Sequence, residues 1–382
     1  MDLKTKQRIS LRIYFFLSGS CFSTWASRIS TIKTFFDLNE AELGSILIAM
    51  PISSLLGLPI SGWLVSRFDS RVPLLISFIL FSFSLILVGY ATSIFELVFA
   101  ICLFSFCMRI LNISMNTQSI ALQKEFKKKI IGSFHGIWST GGVAGVGFST
   151  LLIKMNITIG LHFLIVSVFT LITSTIAYWF LIKNDKSLTG NKLIIGKPDK
   201  FILYLGLLVF FAAVCEGGMY DWSGVYFKDV IKIDIFTYGY LIFMSFMALS
   251  RFFSDRLIEK IGMEKTYVVS ATFISLGIST AILFPYFWTA MAGFCLVGFG
   301  TASVFPMTFA LAGTSKKYSP GMAISLIVTY GIAGMLIGPP LIGYIAHAFN
   351  LKVSFIIFIV SGVMLIPVSR RFFQLQKEQE KL

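Results

Sequence analysis

The sequence predicts an all-α integral membrane protein with twelve transmembrane helices in two pseudo-symmetric bundles of six. Three observations carry this. Of 382 residues, 56% are hydrophobic and only 13% charged, with a mean hydropathy of +0.84. Soluble domains are roughly 45–50% apolar and about 25% charged. The composition therefore argues against a water-soluble enzyme, a disordered tail or a collagen-like fibre. Apolar runs long enough to cross a bilayer, about 20 residues each, recur twelve times. Finally, Lys and Arg gather in alternate connections, as the positive-inside rule requires.

The spans run as follows. Lys4, Lys6, Arg8 and Arg12 precede or open the first span, 11–34. The second, 41–66, ends on Arg67 and Arg71. The third and fourth, 72–92 and 94–122, lead to Lys124 and Lys127–Lys129. The fifth and sixth, 131–154 and 157–182, are followed by the longest polar stretch, 183–200, with Lys183, Lys186, Lys192, Lys197 and Lys200. The seventh and eighth, 201–227 and 235–258, lead to a basic group counted as Arg251, Arg256, Lys260 and Lys265. The ninth and tenth, 265–285 and 287–313, lead to Lys316 and Lys317. The eleventh and twelfth, 319–345 and 351–373, run into a tail with Arg370, Arg371, Lys377 and Lys381. On this count 25 of the 32 basic residues share one side. Six face the other: Arg28, Lys33, Lys154, Lys228, Lys232 and Lys352. Arg109 alone sits mid-span. Both termini are thus expected in the cytoplasm of a bacterial inner membrane. The net charge of +14 is then explained by loops, without nucleic acid. No cleavable signal peptide is expected, because the first apolar run lacks a small-residue cleavage site.

The polar stretch divides the chain into an N-terminal bundle (1–182), a cytoplasmic linker (183–200) and a C-terminal bundle (201–382). The halves echo each other. Gly62–Asp69 closes the second span and Asp255–Gly262 the eighth, 193 residues apart, while Trp25 and Trp222 are 197 apart. Similar offsets point to an internal parallel repeat.

The segment GWLVSRFDSR, residues 62–71, resembles the G-x-L-x-D-R-x-G-R-[RK] signature of the major facilitator superfamily. Ser66 stands in place of the acid and Asp69 in place of the second glycine. DRLIEKIG, 255–262, keeps an acid and a glycine at those positions. Arg109 with Asn112 resembles the family's Arg-containing fourth-helix motif. TWASRI, GSFHGIW, CEGGMYDWSGVY and GPPLIG are most similar to a bacterial fucose-permease-like branch. The resemblance spans nearly the whole chain. It implies the major facilitator fold, with two six-helix bundles rocking about a central site. The implied function is secondary active transport of a small polar solute, a sugar or sugar derivative among the candidates, by proton symport. Export of small amphiphilic compounds by proton antiport stays open, as does a lipid-handling or non-transporting membrane protein. The implied partners are a small-molecule substrate, protons and membrane lipids, and the implied state is a monomer. Arg67, Arg71, Asp255, Arg256, Glu259 and Lys260 are expected to form the gating contacts, the basic residues pairing with nearby acids. With Ser66 in place of the acid, the N-terminal latch is left open.

An ionisable group at mid-bilayer costs at least ~2.5–3.5 kcal/mol and marks function by default. Glu216 and Asp221 in the seventh span are the proton-coupling candidates; a structural hydrogen-bonding role also suits either acid. Gly217 and Gly218 between them suit a bend. Arg109, Asn112 and Asn116, at i, i+3 and i+7, make a polar helical stripe suited to a substrate carboxylate or hydroxyls. Alternatively, Arg109 pairs with an acid during the transport cycle or ties its helix to a neighbouring backbone. Trp25, Trp138, Glu216, Tyr220, Trp222 and Tyr330 complete the substrate-binding candidates, since aromatic rings around a polar centre suit ring-shaped solutes. The same ring types also gather at membrane interfaces. His135 reads as a hydrogen-bonding residue near the cytoplasmic surface.

Small residues four apart, Gly132/Gly136, Gly141/Gly145 and Gly334/Gly338, are expected at close helix contacts. Pro339 and Pro340 are expected to kink the eleventh span. The fifth span lacks the proline of the family's antiporter motif, which lowers drug–proton antiport. Cofactors, metals and catalysis are not expected. The five cysteines lie in apolar runs without a C-x-x-C pair, the three histidines occupy separate spans, and a phosphate loop, H-E-x-x-H or EF-hand pattern is missing.

Overall fold

The computed structural model describes residues 2–126, 130–183, 185, 199–315, 317–318 and 320–380. The side chains at 131, 132, 255, 320, 321, 379 and 380 lie outside the description. Among the described residues, fifteen helices follow in order: α1 Leu3–Phe35, α2 Glu40–Leu47, α3 Ala49–Arg67, α4 Arg71–Tyr90, α5 Ile94–Gln123, α6 Ile131–Lys154, α7 Ile159–Tyr178, α8 Lys200–Asp229, α9 Tyr238–Ile261, α10 Met263–Leu283, α11 Phe287–Thr301, α12 Val304–Ala312, α13 Pro320–Ala348, α14 Leu351–Ser354 and α15 Ile356–Glu380. Local breaks at Ile48, Ala302–Ser303 and Phe355 split three spans, so the fifteen helices make twelve crossings.

Among the described residues, ten helices are long and apolar enough to cross a membrane. The other two crossings are α1 and α9, whose apolar runs are interrupted by charged and hydroxyl side chains, among them Arg28 and Arg251. Helix starts follow their capping residues. Asn39 and Ser93 form capping boxes with Glu42 and Glu96, and Thr158, Asp199 and Asn350 each accept from the N–H three residues on. Gly262, at φ 83°, makes the turn between α9 and α10.

The chain divides into two compact units, Met1–Ile32 with Ala49–Leu193, and Lys33–Ile48 with Ile194–Leu382. Inside the first, α4 packs on α5 and α7, and α3 on α5. Inside the second, α10 packs on α11 and α15, and α9 on α11. The third-with-fourth, third-with-sixth and second-with-fourth contacts thus recur six crossings later. Segment 33–48, placed by the sequence reading in the first half, packs with the second unit. There α2 lies on α13, with Gly343 against the Glu40 carbonyl, and Lys33 Nζ bonds Glu40 at 2.9 Å and Asp229 at 2.6 Å.

Glycines set the closest helix approaches. A Cβ on Gly19 would sit 2.1 Å from the Trp138 carbonyl oxygen, and one on Gly141 2.0 Å from that of Phe16. Gly145 meets Ser20 in the same way, so α1 and α6 touch backbone to backbone. Gly334 repeats this against Phe210 on α8, and α13 stays helical through Pro339 and Pro340. Among the described residues, no atom lies within 4 Å of where a Cβ on Gly136 would sit, so no close helix contact is made there. Gly141→Val is therefore expected to cost about 3 kcal/mol by forcing the helices apart. Gly136→Ala should be neutral or mildly stabilising. Thermal unfolding of the two variants in detergent checks the contrast.

Candidate functional site

In the second unit, α8 carries Glu216 in its middle. Glu216 is buried, at 7% exposure. Its Oε1 accepts a short hydrogen bond from the hydroxyl of Tyr220, one turn along the same helix. Arg251 of α9 reaches the same oxygen at 3.5 Å through Nη2. Oε2 is buried and makes no hydrogen bond among the described residues. Tyr220 is itself held among Tyr240 and Phe243. Asp221 forms no ion pair with a described residue, and its helix turns it away from the Glu216–Tyr220 face.

Arg251 corrects the sequence reading, which counted it with the cytoplasmic loop. It sits thirteen residues into α9 and forms an ion pair with Glu216. Its position within an apolar run was the available signal.

In the first unit, Arg109 of α5 donates through Nε to Ser54 Oγ of α3 at 2.8 Å. Gly57, one turn beyond Ser54, admits the stem: a Cβ there would lie 3.2 Å from Arg109 Cβ and 3.3 Å from Cγ. Asn112 lies one turn along. Asn116 turns its amide back to the Asn112 carbonyl at 2.9 Å, so only part of the expected stripe faces outward from its own helix.

A second arginine of this unit was counted among outward-facing loop residues but is buried, at 4% exposure. Arg28 of α1 donates through Nε to His162 Nδ1 at 3.0 Å and through Nη2 to the Ile157 carbonyl at 2.7 Å. Arginine is a donor only, so Nδ1 must accept and the ring proton is assigned to Nε2. Nε2 lies 3.4 Å from Ser149 Oγ, which in turn donates to the Gly145 carbonyl at 2.8 Å. A lone histidine in an apolar span was the available signal.

The aromatic candidates separate. Trp25 and Trp222 are 1% and 0% exposed, each buried in the interior of its own unit. Their similar burial fits the repeat. Trp138 and Tyr330 are half-buried; Tyr330 lies over Gly206, where a Cβ would come within 2.5 Å of the ring.

The gating expectation changes as well. Arg67 lies over the Trp63 ring at 5.7 Å and Arg71 over the Tyr178 ring at 5.3 Å. Among the described residues, Arg67, Arg71, Arg256, Glu259 and Lys260 form no ion pair. The side chain of Asp255 lies outside the description. An acid does reach the loop whose motif lacks one. Asp185 accepts from the Ser70 N–H at 2.9 Å, from the Ser70 hydroxyl, and from Gln118 Nε2 at 3.0 Å. Gln118 also bonds Ile182 through both ends of its amide. Ser66 only turns back to the Trp63 carbonyl. Sequence distance hid Asp185, which lies in the polar stretch far from residues 62–71.

Comparison with known proteins decides the class. The sequence profile of the Major Facilitator Superfamily matches residues 12–317 and 242–382. The chain belongs to the Major Facilitator Superfamily. It is an integral membrane protein and a transporter of this superfamily. It is 29% identical over 351 residues to an uncharacterized MFS-type transporter of Yersinia pestis, covering 91% of each chain. It is 30% identical over 361 residues to the membrane protein MosC of Rhizobium meliloti, covering 92% of this chain and 86% of that one. Among solved structures, a mutant of the nucleoside transporter NupG matches with a TM-score of 0.78 at 12% identity, over 97% of this chain and all of that one. A bacterial homologue of the human lysosomal transporter Spinster, inward-facing and unoccupied, matches at 0.77 and 13% identity, over 98% of each. These two likenesses establish the major facilitator fold.

Proposed function

We propose that this transporter moves a small polar solute across a bacterial inner membrane by alternating access, in symport with protons taken up by Glu216. One observation carries the reading: a buried carboxylate in the middle of a span with one oxygen shared by Tyr220 and Arg251 and the other without a hydrogen bond among the described residues. A buried charge is retained where its neighbours hold it and where it does work. Here Arg251 compensates the ionised form, and the open oxygen is where a proton or a solute donor enters. The bacterial origin of the relatives and the basic-residue asymmetry support the location, with both termini in the cytoplasm. The nucleoside transporter NupG, alike in fold, supports a small polar solute. Asp221 is the second candidate for a proton, and Trp138 and Tyr330 remain candidates to contact the solute.

The test uses proteoliposomes with an imposed pH gradient and a panel of radiolabelled nucleosides, sugars and sugar acids. Accumulation above equilibrium with the acid side outside, abolished by a protonophore, is the expected result. Accumulation with the gradient reversed would mean antiport. Solute that only equilibrates, without proton movement, would overturn coupling.

A further inference from the structure

Arg28, Arg109 and Arg251 lie inside apolar spans, and their surroundings differ. Arg28 is satisfied by His162 and the Ile157 carbonyl, and Arg251 faces Glu216. Arg109 has no acid within ion-pair distance among the described residues. Its single hydrogen bond there is the one from Nε to Ser54. That bond spends one edge of the guanidinium and fixes its plane. Gly57 and Ser54 hold the stem and the inner edge, leaving the pair of Nη groups, with their four N–H donors, as the open end of the fork. Asn112 stands one helical turn away on the same helix. A cation held inside a membrane span without a counter-charge is costly, and an anionic ligand would remove that cost. The planar end of a guanidinium is complementary to two oxygens of a carboxylate or phosphate.

We infer that Arg109 docks an oxyanion of the transported solute, so that the substrate class is small polar acids, carboxylates or phosphate esters, rather than uncharged sugars. The inference rests on the transport reading above and sharpens it. Ser54 is a positioning residue: it orients the fork and does not itself touch the anion.

The test is thermal unfolding of the full chain in phosphatidylcholine nanodiscs at constant ionic strength. The ligands are glucose, glucuronate, glucose 6-phosphate, lactate and succinate, with sodium chloride as the control for charge. At least one carboxylate or phosphate should raise the midpoint of the wild-type protein by several degrees, while glucose and chloride do not. Arg109→Gln should abolish the shift. Arg109→Lys, which keeps charge but loses the fork, should need about tenfold more ligand. Ser54→Ala, a milder change that serves if Arg109→Gln does not fold, should also weaken the response severalfold. A wild-type midpoint indifferent to every anion overturns the inference. So does a shift that survives Arg109→Gln and Ser54→Ala unchanged. If phosphatidylglycerol, but none of the soluble acids, stabilises in an Arg109-dependent way, the ligand is a lipid headgroup and the solute assignment falls. If neutral solutes bind and are taken up by proteoliposomes regardless of Arg109, the anion assignment falls while the transport reading stands. Failure of all proton-driven uptake despite Arg109-dependent binding would have the opposite meaning.

Discussion

Glu216→Gln is expected to abolish accumulation driven by a pH gradient while leaving solute–solute exchange in operation. The amide is nearly isosteric with the acid and keeps an oxygen for the Tyr220 hydroxyl and for Arg251. It cannot take up or release a proton at physiological pH. Exchange needs only that the loaded carrier reorients, so it survives; net uphill movement needs a proton to travel with the solute. A loss of about tenfold or more in accumulation ratio, the equivalent of ~1.4 kcal/mol of coupling, is the expected size. The variant also leaves Arg251 beside a neutral partner. Glu216→Gln combined with Arg251→Gln therefore separates the loss of a titrating group from the presence of an uncompensated cation. If exchange and gradient-driven uptake fall together in the single variant and both recover in the double, Arg251 is the sensitive element and Glu216 is not the coupling acid. Unchanged gradient-driven uptake in the single variant would remove Glu216 from that role outright.

A second large effect, on stability, is expected at His162. Leu has a volume close to that of His and is apolar, which an apolar span should tolerate. The structure predicts otherwise, because Arg28 Nε would lose its acceptor in a place where water does not compete for it. Stranding a buried donor on a charged group costs about 3 kcal/mol. His162→Leu is thus expected to lower the thermal midpoint in detergent by several degrees and to reduce folded yield. Leu is expected to be tolerated better when Arg28 is replaced by Met as well, since removing both partners together avoids the orphaned charge. Equal stability of wild type and His162→Leu would mean that Arg28 finds another acceptor, and the proposed role of the ring would be withdrawn.

Much of this molecule is legible before any coordinates exist. Apolar runs mark the crossings because a bilayer excludes unpaired backbone groups and accepts helices. Gly141 and Gly145 announce a tight helix contact because backbones approach only where side chains are missing. Arg109 and Glu216 stand out for the cost of charge in hydrocarbon. The same reasoning placed Arg28 and Arg251 outside the hydrocarbon, for a physical reason. Each lies inside its apolar run, 11–34 and 235–258, yet a basic residue there is assigned to the adjoining connection when only the cost of its charge in hydrocarbon is weighed and its partner is unknown. Their partners, His162 and Glu216, lie 134 and 35 residues away, a separation that carries no sign of contact.

Sequence by itself determined the twelve crossings and which few charged groups required explanation, because these follow from the transfer free energy of each side chain taken alone. Tertiary structure decided the pairings: Arg251 with Glu216, Arg28 with His162, Asp185 with the Ser70 loop, and Arg109 with no acid among the described residues. It also decided that Trp25 and Trp222 fill cores. Whether a polar group is satisfied, or a ring is covered, depends on what packing brings within a few ångströms, and that is a property of the fold rather than of any segment of the chain.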